Sequence, residues 1–247
     1  MDAGSTRRPL LCELHTHTTW SDGDLSLREL VDLGGRAGLD VLCVTDHVPR
    51  SDDPWRMPSS CVNEVTFGEY VAAIDREAER ALALYAMLVL PGLELTHDHP
   101  DPDMSAHAIA VGLREFVSPD LGLVGALLAA RDAGAAVVAA HPHTGDGFSA
   151  RPRETRRFWR EWDTLAPILH RVELMNGPDL FGWVVEGDVP LVASGNVHRR
   201  EDLSSWKTLL PCAPDEEELV AYLRSPGPAY VLPFRRAQAP AEQPAAA

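Results

Sequence analysis

The sequence predicts an α/β fold, a single domain in which strands and helices alternate. Apolar and β-branched runs are separated by segments of helical periodicity, which is the pattern of β/α units. With 247 residues, 45% of them hydrophobic, the chain is long enough to bury one core of barrel size. Histidine and carboxylate residues follow several of the apolar runs, as expected where barrel strands end in a site.

Eight apolar runs have the composition of strands, and five segments have the periodicity of helices. The strands are predicted at residues 10–14, 40–45, 88–94, 107–112, 136–140, 171–175, 190–195 and 229–232. The helices are predicted at 26–37, 67–87, 120–133, 154–169 and 215–224. Ser26 with Glu29 three residues later is the pattern of a capping box at the start of the first helix. The stretch 48–64, which contains three prolines, is predicted to be a loop.

The two ends of the chain differ in composition from the rest. Residues 1–9 are polar and are predicted to be a flexible N-terminus, residues 10–234 the folded domain, and residues 235–247 a disordered tail rich in Pro, Ala and Gln. The N-terminus lacks the apolar core of a secretory signal, and the chain has no run of eighteen apolar residues. We therefore expect a cytoplasmic protein with no membrane partner.

The net charge of −15 restricts the class of partner. Binding to long nucleic acids depends on lysine and arginine that neutralise phosphates, so no long nucleic acid is expected as a partner. A small anionic substrate is compatible with this charge, because bound divalent cations can dominate the local field. The four cysteines show no C-x-x-C spacing, so we expect neither disulfides nor a thiolate metal site.

Side chains that bind metals stand at the ends of five apolar runs. They are His15 and His17, Asp46 and His47, Glu94, His141 and His143, and Asn196 and His198. In a parallel α/β barrel the carboxyl ends of the strands converge on one face, so these side chains would meet there. Nitrogen and oxygen ligands of this kind suit Zn, Mn or Fe, and their number exceeds what one four-coordinate ion needs. The sequence therefore predicts more than one divalent ion.

A single histidine at a strand end is more often a structural residue than a ligand, and only the repetition of the pattern favours metal binding. Glu94 lies at an apolar strand end, where an unpaired carboxylate would be unfavourable without a cation. Three histidines are predicted to be exposed or to contact a helix C-terminus, because His97 and His99 lie in a polar loop and His170 lies at a helix end.

Several of these motifs, in this order, resemble the polymerase and histidinol phosphatase (PHP) family of metal-dependent phosphoesterases. The motifs are HTHTTWSDG at 15–23, VTDH at 44–47, AHPH at 140–143 and SGNVHR at 194–199, with GLEL at 92–95 and SAHAIAVG at 105–112 between them. The resemblance covers roughly residues 10–235. It implies a distorted (β/α)7 barrel of the TIM type that holds up to three metal ions at the carboxyl ends of its strands.

The resemblance also implies three sets of ligands. These are His15, His17 and Glu94 for a first ion, Glu94, His107 and His141 for a second, and Asp22, His47 and His198 for a third. Glu94 would bridge two of the ions. Asn196 stands where the family usually has an aspartate, and its amide oxygen would hold the first ion more weakly because it carries no charge.

The implied reaction is hydrolysis of a small phosphorylated substrate, with two or three divalent ions that activate a water molecule. Arg199 and then Arg50 are candidates to bind the substrate phosphate, although each could instead form a surface ion pair. Asp46 is predicted to orient a metal ligand, and His143 to do the same or to donate a proton to the leaving group.

Two alternatives remain open from the sequence. The same ions could serve hydrolysis of an amide, ester or carbamate, because an activated water can also attack a carbonyl carbon. The chain could also be a non-catalytic module in which Asn196 marks a degenerate metal site. The segment 48–66, which follows a predicted strand, is expected to shape specificity.

Overall fold

The computed structural model describes residues 8–55, 61–144 and 155–235, and these form a curled, mixed β-sheet packed against helices. The strands are β1 Leu10–Glu13, β2 Val41–Val44, β3 His47–Pro49, β4 Leu88–His97, β5 Ala106–Val111, β6 Ala136–Ala140, β7 Arg171–Asn176, β8 Asp179–Leu180, β9 Leu191–Ser194, β10 Trp206–Leu210 and β11 Tyr230–Pro233. The helices are α1 Leu27–Ala37, α2 Phe67–Tyr85, α3 Gly122–Asp132, α4 Arg157–Arg160, α5 Trp162–Leu165 and α6 Glu216–Arg224.

The strand order is β11-β10-β1-β2-β4-β5-β6-β7-β8, with β3 paired to β4 and β9 paired to β7. The pairs β1–β2, β2–β4, β6–β7 and β7–β9 are parallel, whereas β5 and β10 run antiparallel to both of their neighbours. A bridge between Thr16 and Val197 brings the chain after β9 beside the chain after β1. The carboxyl ends of distant strands therefore meet at one end of the curl.

Two clusters of buried hydrophobic residues among the described ranges stabilise this sheet. The larger one lies between the sheet and the helices and includes Leu30 of α1, Ile74 of α2 and Leu127 of α3. The smaller one, which we call the inner core, is built mainly from strand residues and from Leu219 and Leu223 of α6. Its members on the strands or directly after β1 are Leu10, Cys12, Leu14, Val41, Cys43, Leu90, Ile109, Val111, Ala136, Val138, Ala140, Val192 and Leu210.

Side chains two residues apart on a strand share a face, so the inner-core face of β4 and β5 continues into polar residues. Leu90 is followed on that face by Glu94, and Ile109 is preceded by His107. The same face of the sheet is thus apolar at one end and carries ionisable side chains at the other. This arrangement places the candidate site above the inner core.

The α/β class and the curled sheet are confirmed, and each predicted strand occurs with shifts of no more than a few residues at its ends. The predicted capping box of α1 is present, with Glu29 N donating to Ser26 Oγ at 3.3 Å and Ser26 N to Glu29 Oε2 at 2.9 Å. The antiparallel strands interrupt the regular β/α repeat, and the count of seven units stays a prediction.

Some predicted boundaries were wrong. The helix predicted at 154–169 is replaced, from residue 157 onward, by α4, α5 and a 3-10 turn at Ala166–Ile168. The chain leaves α5 just before Pro167, which cannot continue a regular helix. Strand β3 begins before, and extends into, the predicted loop 48–64, whose residues 56–60 lie outside the described chain. Strand β10 was missed because Lys207 interrupts its apolar run.

The predicted flexible ends lie mostly outside the described residues, which exclude 1–7 and 236–247. Arg8, within the predicted N-terminal segment, forms two hydrogen bonds of 2.6 Å with the carboxylate of Asp40. Within the described ranges, no helix has both the length and the apolar character needed to cross a membrane.

Candidate metal centre

The carboxylate of Glu94 lies at the middle of a group of imidazole rings. Its Oε2 is 3.1, 3.2 and 3.3 Å from one ring nitrogen each of His15, His17 and His47. Its Oε1 is 3.1 and 3.0 Å from one ring nitrogen each of His107 and His141. Glu94 and all five of these histidines are buried. Each oxygen of one carboxylate therefore faces its own set of nitrogens.

Asp22 forms a second centre of contacts next to the first. Its Oδ1 lies 3.3 Å from His198 Nε2, 3.6 Å from His17 Nδ1 and 3.7 Å from His47 Nε2. His17 and His47 thus present one ring nitrogen toward Glu94 and the other toward Asp22. The two groups of side chains are continuous, and this second group is the more open because the Asp22 side chain is 36% exposed.

Three sets of these residues have ligand atoms that all lie within 4.8 Å of one another. They are His17, Asp22, His47 and His198; His15, Glu94 and His141; and His47, Glu94 and His107. The sets implied by the resemblance contain the same residues, grouped differently. In the structure His17 lies with the Asp22 set, His15 lies with His141, and His47 belongs to two of the sets. Which residues would hold which ion stays a prediction.

The chemistry of this donor set fits divalent cations. A buried carboxylate surrounded by five imidazoles brings together many nitrogen and oxygen lone pairs with no lysine or arginine paired to Glu94 in the described residues. In addition, Asn196 Oδ1 is buried with no hydrogen-bond partner among the residues that the structure describes. A cation can compensate both the buried negative charge and the unpaired amide oxygen.

The charges of the centre shift the pKa values of its members. Burial disfavours the imidazolium of His15, but Glu94 and Glu173 outweigh it and raise the pKa of His15 to about 10. Burial also opposes the imidazolium of His107, while Asp98 and Glu94 raise its pKa to about 9. Burial lowers the pKa of His17 well below its usual value, and nearby imidazoles add to this effect. Burial opposes the ionised form of Glu94, but the surrounding histidines together outweigh it and hold its pKa well below its usual value.

Metal binding is therefore expected to release protons and to strengthen as the pH rises. At pH 7 the rings of His15 and His107 are imidazolium in the metal-free protein, and an imidazolium has no lone pair for a cation. The apparent affinity should fall as the pH is lowered from about 9 to about 6. Calorimetric titration with Mn²⁺ in buffers of different ionisation enthalpy counts the protons. A count of zero at pH 7 would contradict this expectation.

Asp46 lies beneath the turn that carries His17 and Asp22. Its Oδ1 accepts hydrogen bonds from Thr18 N at 2.7 Å and Ser21 Oγ at 2.6 Å, and its Oδ2 accepts one from Thr18 Oγ1 at 2.8 Å. Burial raises the pKa of Asp46 to about 6 despite these hydrogen bonds. Asp46 thus fixes the backbone between two candidate ligands, and its role in orienting a metal ligand stays a prediction.

Gly23 is needed in the same turn because the chain folds back closely on itself. A Cβ atom at this position would lie 2.4 Å from the backbone oxygen of His17. No side chain can fit there without moving the backbone of a candidate ligand.

The remaining predicted site residues lie at the edge of the centre. The ring of His143 is buried beside Thr155 and Phe181, with Nδ1 3.3 Å from Thr155 Oγ1. Arg199 is exposed and lies 3.4 Å from Asp24, and Arg50 pairs with Asp52 at 2.7 Å. Both arginines form surface ion pairs, and their roles in substrate binding stay predictions.

Asn196 has a left-handed backbone with a φ of 52°, and His141 has a φ of 32°. Non-glycine residues adopt such angles rarely, and they often do so at functional sites. The backbone oxygen of Asn196 accepts a hydrogen bond from His198 Nδ1 at 3.1 Å, which leaves His198 Nε2 facing Asp22. The turn after β9 therefore orients the ring of His198 and contains Asn196, another candidate ligand.

His97 is the histidine whose predicted exposure was wrong. It is 1% exposed, because β4 continues past the predicted strand end to His97, which pairs with Ala106 of β5. Burial and the charge of Arg50 lower its pKa to about 3. His99 and His170 are half-buried outside the centre, and His170 Nδ1 accepts a hydrogen bond from Val137 N at 2.9 Å.

Sequence reasoning missed two buried glutamates that contact the candidate ligands. Glu173 Oε1 lies 3.0 Å from His15 Nδ1. Glu13 accepts hydrogen bonds from His15 N at 3.1 Å and Gly195 N at 3.0 Å, and it pairs with Lys207 at 2.7 Å. The signal available in the sequence was a glutamate inside an otherwise apolar run in both cases.

No family model matches the sequence, and no curated protein matches it either. Solved structures do match. A two-domain protein from Bacteroides vulgatus, which contains a predicted PHP-like metal-dependent phosphoesterase, aligns with a TM-score of 0.64 and 19% identity over 94% of this chain and 66% of that chain. An amidohydrolase from Chromobacterium violaceum, with sulfate bound and no metal, aligns with a TM-score of 0.52 and 14% identity over 92% of this chain and 98% of that chain.

These likenesses show the fold of the chain. They agree with the PHP resemblance seen in the motifs, which is thereby supported at the level of the fold. The chain spans 66% of the length of the Bacteroides vulgatus protein, a little less than two thirds.

Proposed function

We propose that the chain is a metal-dependent hydrolase that cleaves a small-molecule phosphate monoester or diester with two to three divalent ions, Zn, Mn or Fe. The observation that carries the proposal is the position of Glu94, whose two carboxylate oxygens each face a separate set of imidazole nitrogens. A carboxylate in this position can bridge two cations. The likeness to a protein with a PHP-like phosphoesterase domain supports the same class of reaction.

Different side chains would hold the ions, orient their ligands and bind the substrate. When bound, such ions would polarise a phosphoryl oxygen and make a water molecule more acidic. Glu94, the five histidines around it, and Asp22 with His198 would hold them, while Asp46 keeps the His17–Asp22 turn in place. His143 is our candidate to orient a ligand or to donate a proton to the leaving group, and Arg199 and Arg50 are our candidates to bind the phosphate.

A cavity beside the centre has the size expected for a small substrate. It has a volume of about 480 Å³ and is lined by Asn196 and His198, and by Trp206 with its neighbours Ser204 and Ser205. This volume lies in the range typical of small-molecule sites. The alcohol part of a phosphoester bound at the ions could occupy this space.

The proposal can be tested with a panel of phosphate monoesters, phosphate diesters and acyl compounds. Metal-stripped protein is reloaded with Mn²⁺ or Zn²⁺ and assayed on each compound. Hydrolysis of phosphoesters that depends on the added ion would support the proposal.

A second candidate is hydrolysis of an amide, ester or carbamate, which is favoured by the likeness to the Chromobacterium violaceum amidohydrolase. Turnover of acyl compounds alone in the same panel would select it. A protein that binds no ions and turns over neither class would instead be a non-catalytic module.

Replacing Asn196 by Asp is expected to raise the affinity for the first ion by about tenfold or more, because it adds an anionic ligand where an amide now stands. In the described part of the chain, Asn196 Oδ1 is buried without a hydrogen-bond partner, and the left-handed backbone tolerates both residues. The comparison is a Mn²⁺ titration of metal-stripped wild type and variant, with bound ions counted by elemental analysis. Equal stoichiometry and affinity in the two proteins would show that position 196 is not a ligand.

A further inference from the structure

A buried carboxylate lies on the side of His15 that faces away from the other candidate ligands. Glu173 is fully buried, and its Oε1 is 3.0 Å from His15 Nδ1 and accepts a short hydrogen bond from Ser194 Oγ. Its Oε2 accepts hydrogen bonds from His141 N at 2.7 Å and from Asn176 Nδ2 at 2.6 Å. Glu173 therefore contacts two candidate ligands, the ring of His15 and the backbone N–H of His141.

The contact with His15 determines which ring nitrogen is free. His15 Nδ1 lies 3.0 Å from Glu173 Oε1 and 3.3 Å from Asn176 Nδ2, whose amide donates to Glu173 Oε2 at 2.6 Å. Because the carboxylate oxygen is the acceptor in this group and the shorter contact, we assign the ring proton to Nδ1, donating to Glu173. In the neutral ring, Nε2 then keeps its lone pair, and it points at Glu94 Oε2 at 3.1 Å. This is the arrangement in which a second hydrogen-bond partner orients a histidine for a metal ion and makes its free nitrogen more basic.

The contact with His141 supports the other oxygen of the bridging carboxylate. His141 has a φ of 32°, and its ring Nε2 lies 3.0 Å from Glu94 Oε1. Glu173 accepts the backbone N–H at this strained position. One side chain thus helps to position ligands that face both oxygens of Glu94.

The two buried glutamates next to His15 have different charged neighbours. Both glutamates are fully buried and both contact His15. Glu13 is paired with the buried ammonium of Lys207 at 2.7 Å. Within the described residues Glu173 has no lysine or arginine partner, and its contacts other than the imidazole are neutral donors. Among the described residues, His15 is therefore the side chain in contact with Glu173 that can carry a positive charge.

We propose that Glu173 is a positioning residue of the metal centre, which holds His15 with Nε2 free for an ion and supplies a negative charge that the bound cations compensate. Glu13 with Lys207 is, by contrast, a charge-neutral pair that joins β1 to β10 and to the turn after β9. This inference rests on the metal binding in the proposed function and is independent of the substrate.

The test compares Glu173→Gln with a matched control in which Glu13→Gln and Lys207→Met are combined. Each variant removes one equally buried carboxylate next to His15, and the control leaves no unpaired charge. Zn²⁺ affinity of metal-stripped protein is measured by competition with a chromophoric chelator. We expect Glu173→Gln to lose about 10- to 100-fold in Zn²⁺ affinity and the control to change by less than about threefold. Glu173→Asp, which keeps the charge, should recover part of the loss and serves if Glu173→Gln does not fold.

The NMR signal of the His15 ring N–H distinguishes a positioning role of Glu173 from a purely structural one. In Zn²⁺-loaded wild type, ¹⁵N-edited NMR should show a His15 Nδ1–H signal shifted downfield by its hydrogen bond to a carboxylate, and Glu173→Gln should shift it upfield. The proposal is overturned if Glu173→Gln binds Zn²⁺ as wild type does, if the control loses as much affinity, or if Nδ1 carries no proton. Zn²⁺ binding without phosphoester hydrolysis would refute the proposed reaction alone. No Zn²⁺ binding by wild type would refute both.

Discussion

Replacing Glu94 by Gln is expected to remove the ions that we propose this carboxylate holds and to reduce hydrolysis by at least about 10³-fold, more than loss of one preorganised hydrogen-bond donor usually causes. The amide carries no charge, and its NH₂ group would point at imidazole nitrogens that now face a carboxylate oxygen. Elemental analysis after reloading with Mn²⁺ gives the number of bound ions, and the phosphoester assay gives the rate.

The matched control for this variant is Glu77→Gln in α2. Glu77 is also largely buried, but it pairs with Arg28 and Arg80 at 2.8 and 2.6 Å and lies outside the centre. The control should keep its ions and its rate. If Glu94→Gln protein kept the wild-type number of ions at wild-type affinity, Glu94 would not be a bridging ligand and the proposed function would lose its main support.

Replacing His15 and His17 together by Ala is expected to abolish metal binding at the first site and hydrolysis, while the fold persists. Two of the three ring nitrogens that face Glu94 Oε2 are lost, and only that of His47 remains. The inner core contains neither histidine, so the sheet keeps its packing. Bound ions are counted as before, and circular dichroism reports whether the fold is intact.

His99→Ala is the control, because His99 lies outside the centre and its Nδ1 accepts a hydrogen bond from Asp101 N at 3.0 Å. This variant should retain the wild-type number of bound ions and wild-type turnover. A double variant of His15 and His17 with its metals and its rate intact would mean that the alternating histidines after β1 have a structural role only.

The part of the site that the sequence predicted consists of residues at strand ends. His15, His17, His47, Glu94, His141 and His198 follow or end apolar runs, and local periodicity is enough to identify such positions. The structure brings all of them together with Asp22 and His107. Because strand ends converge in a curled sheet, the position of each residue on its own strand already determined that they meet.

The contacts of Glu173 and the pairing of Glu13 with Lys207 were decided by the tertiary structure alone. Glu173 and His15 are 158 residues apart, and they meet because β7, β9 and the end of β1 lie side by side. A polar residue in an apolar run is ambiguous in a sequence, since it can face solvent, a charged partner or a ligand. Only the packing of strands that are distant in the chain selects one of these, and it also decides which nitrogen of each histidine is free.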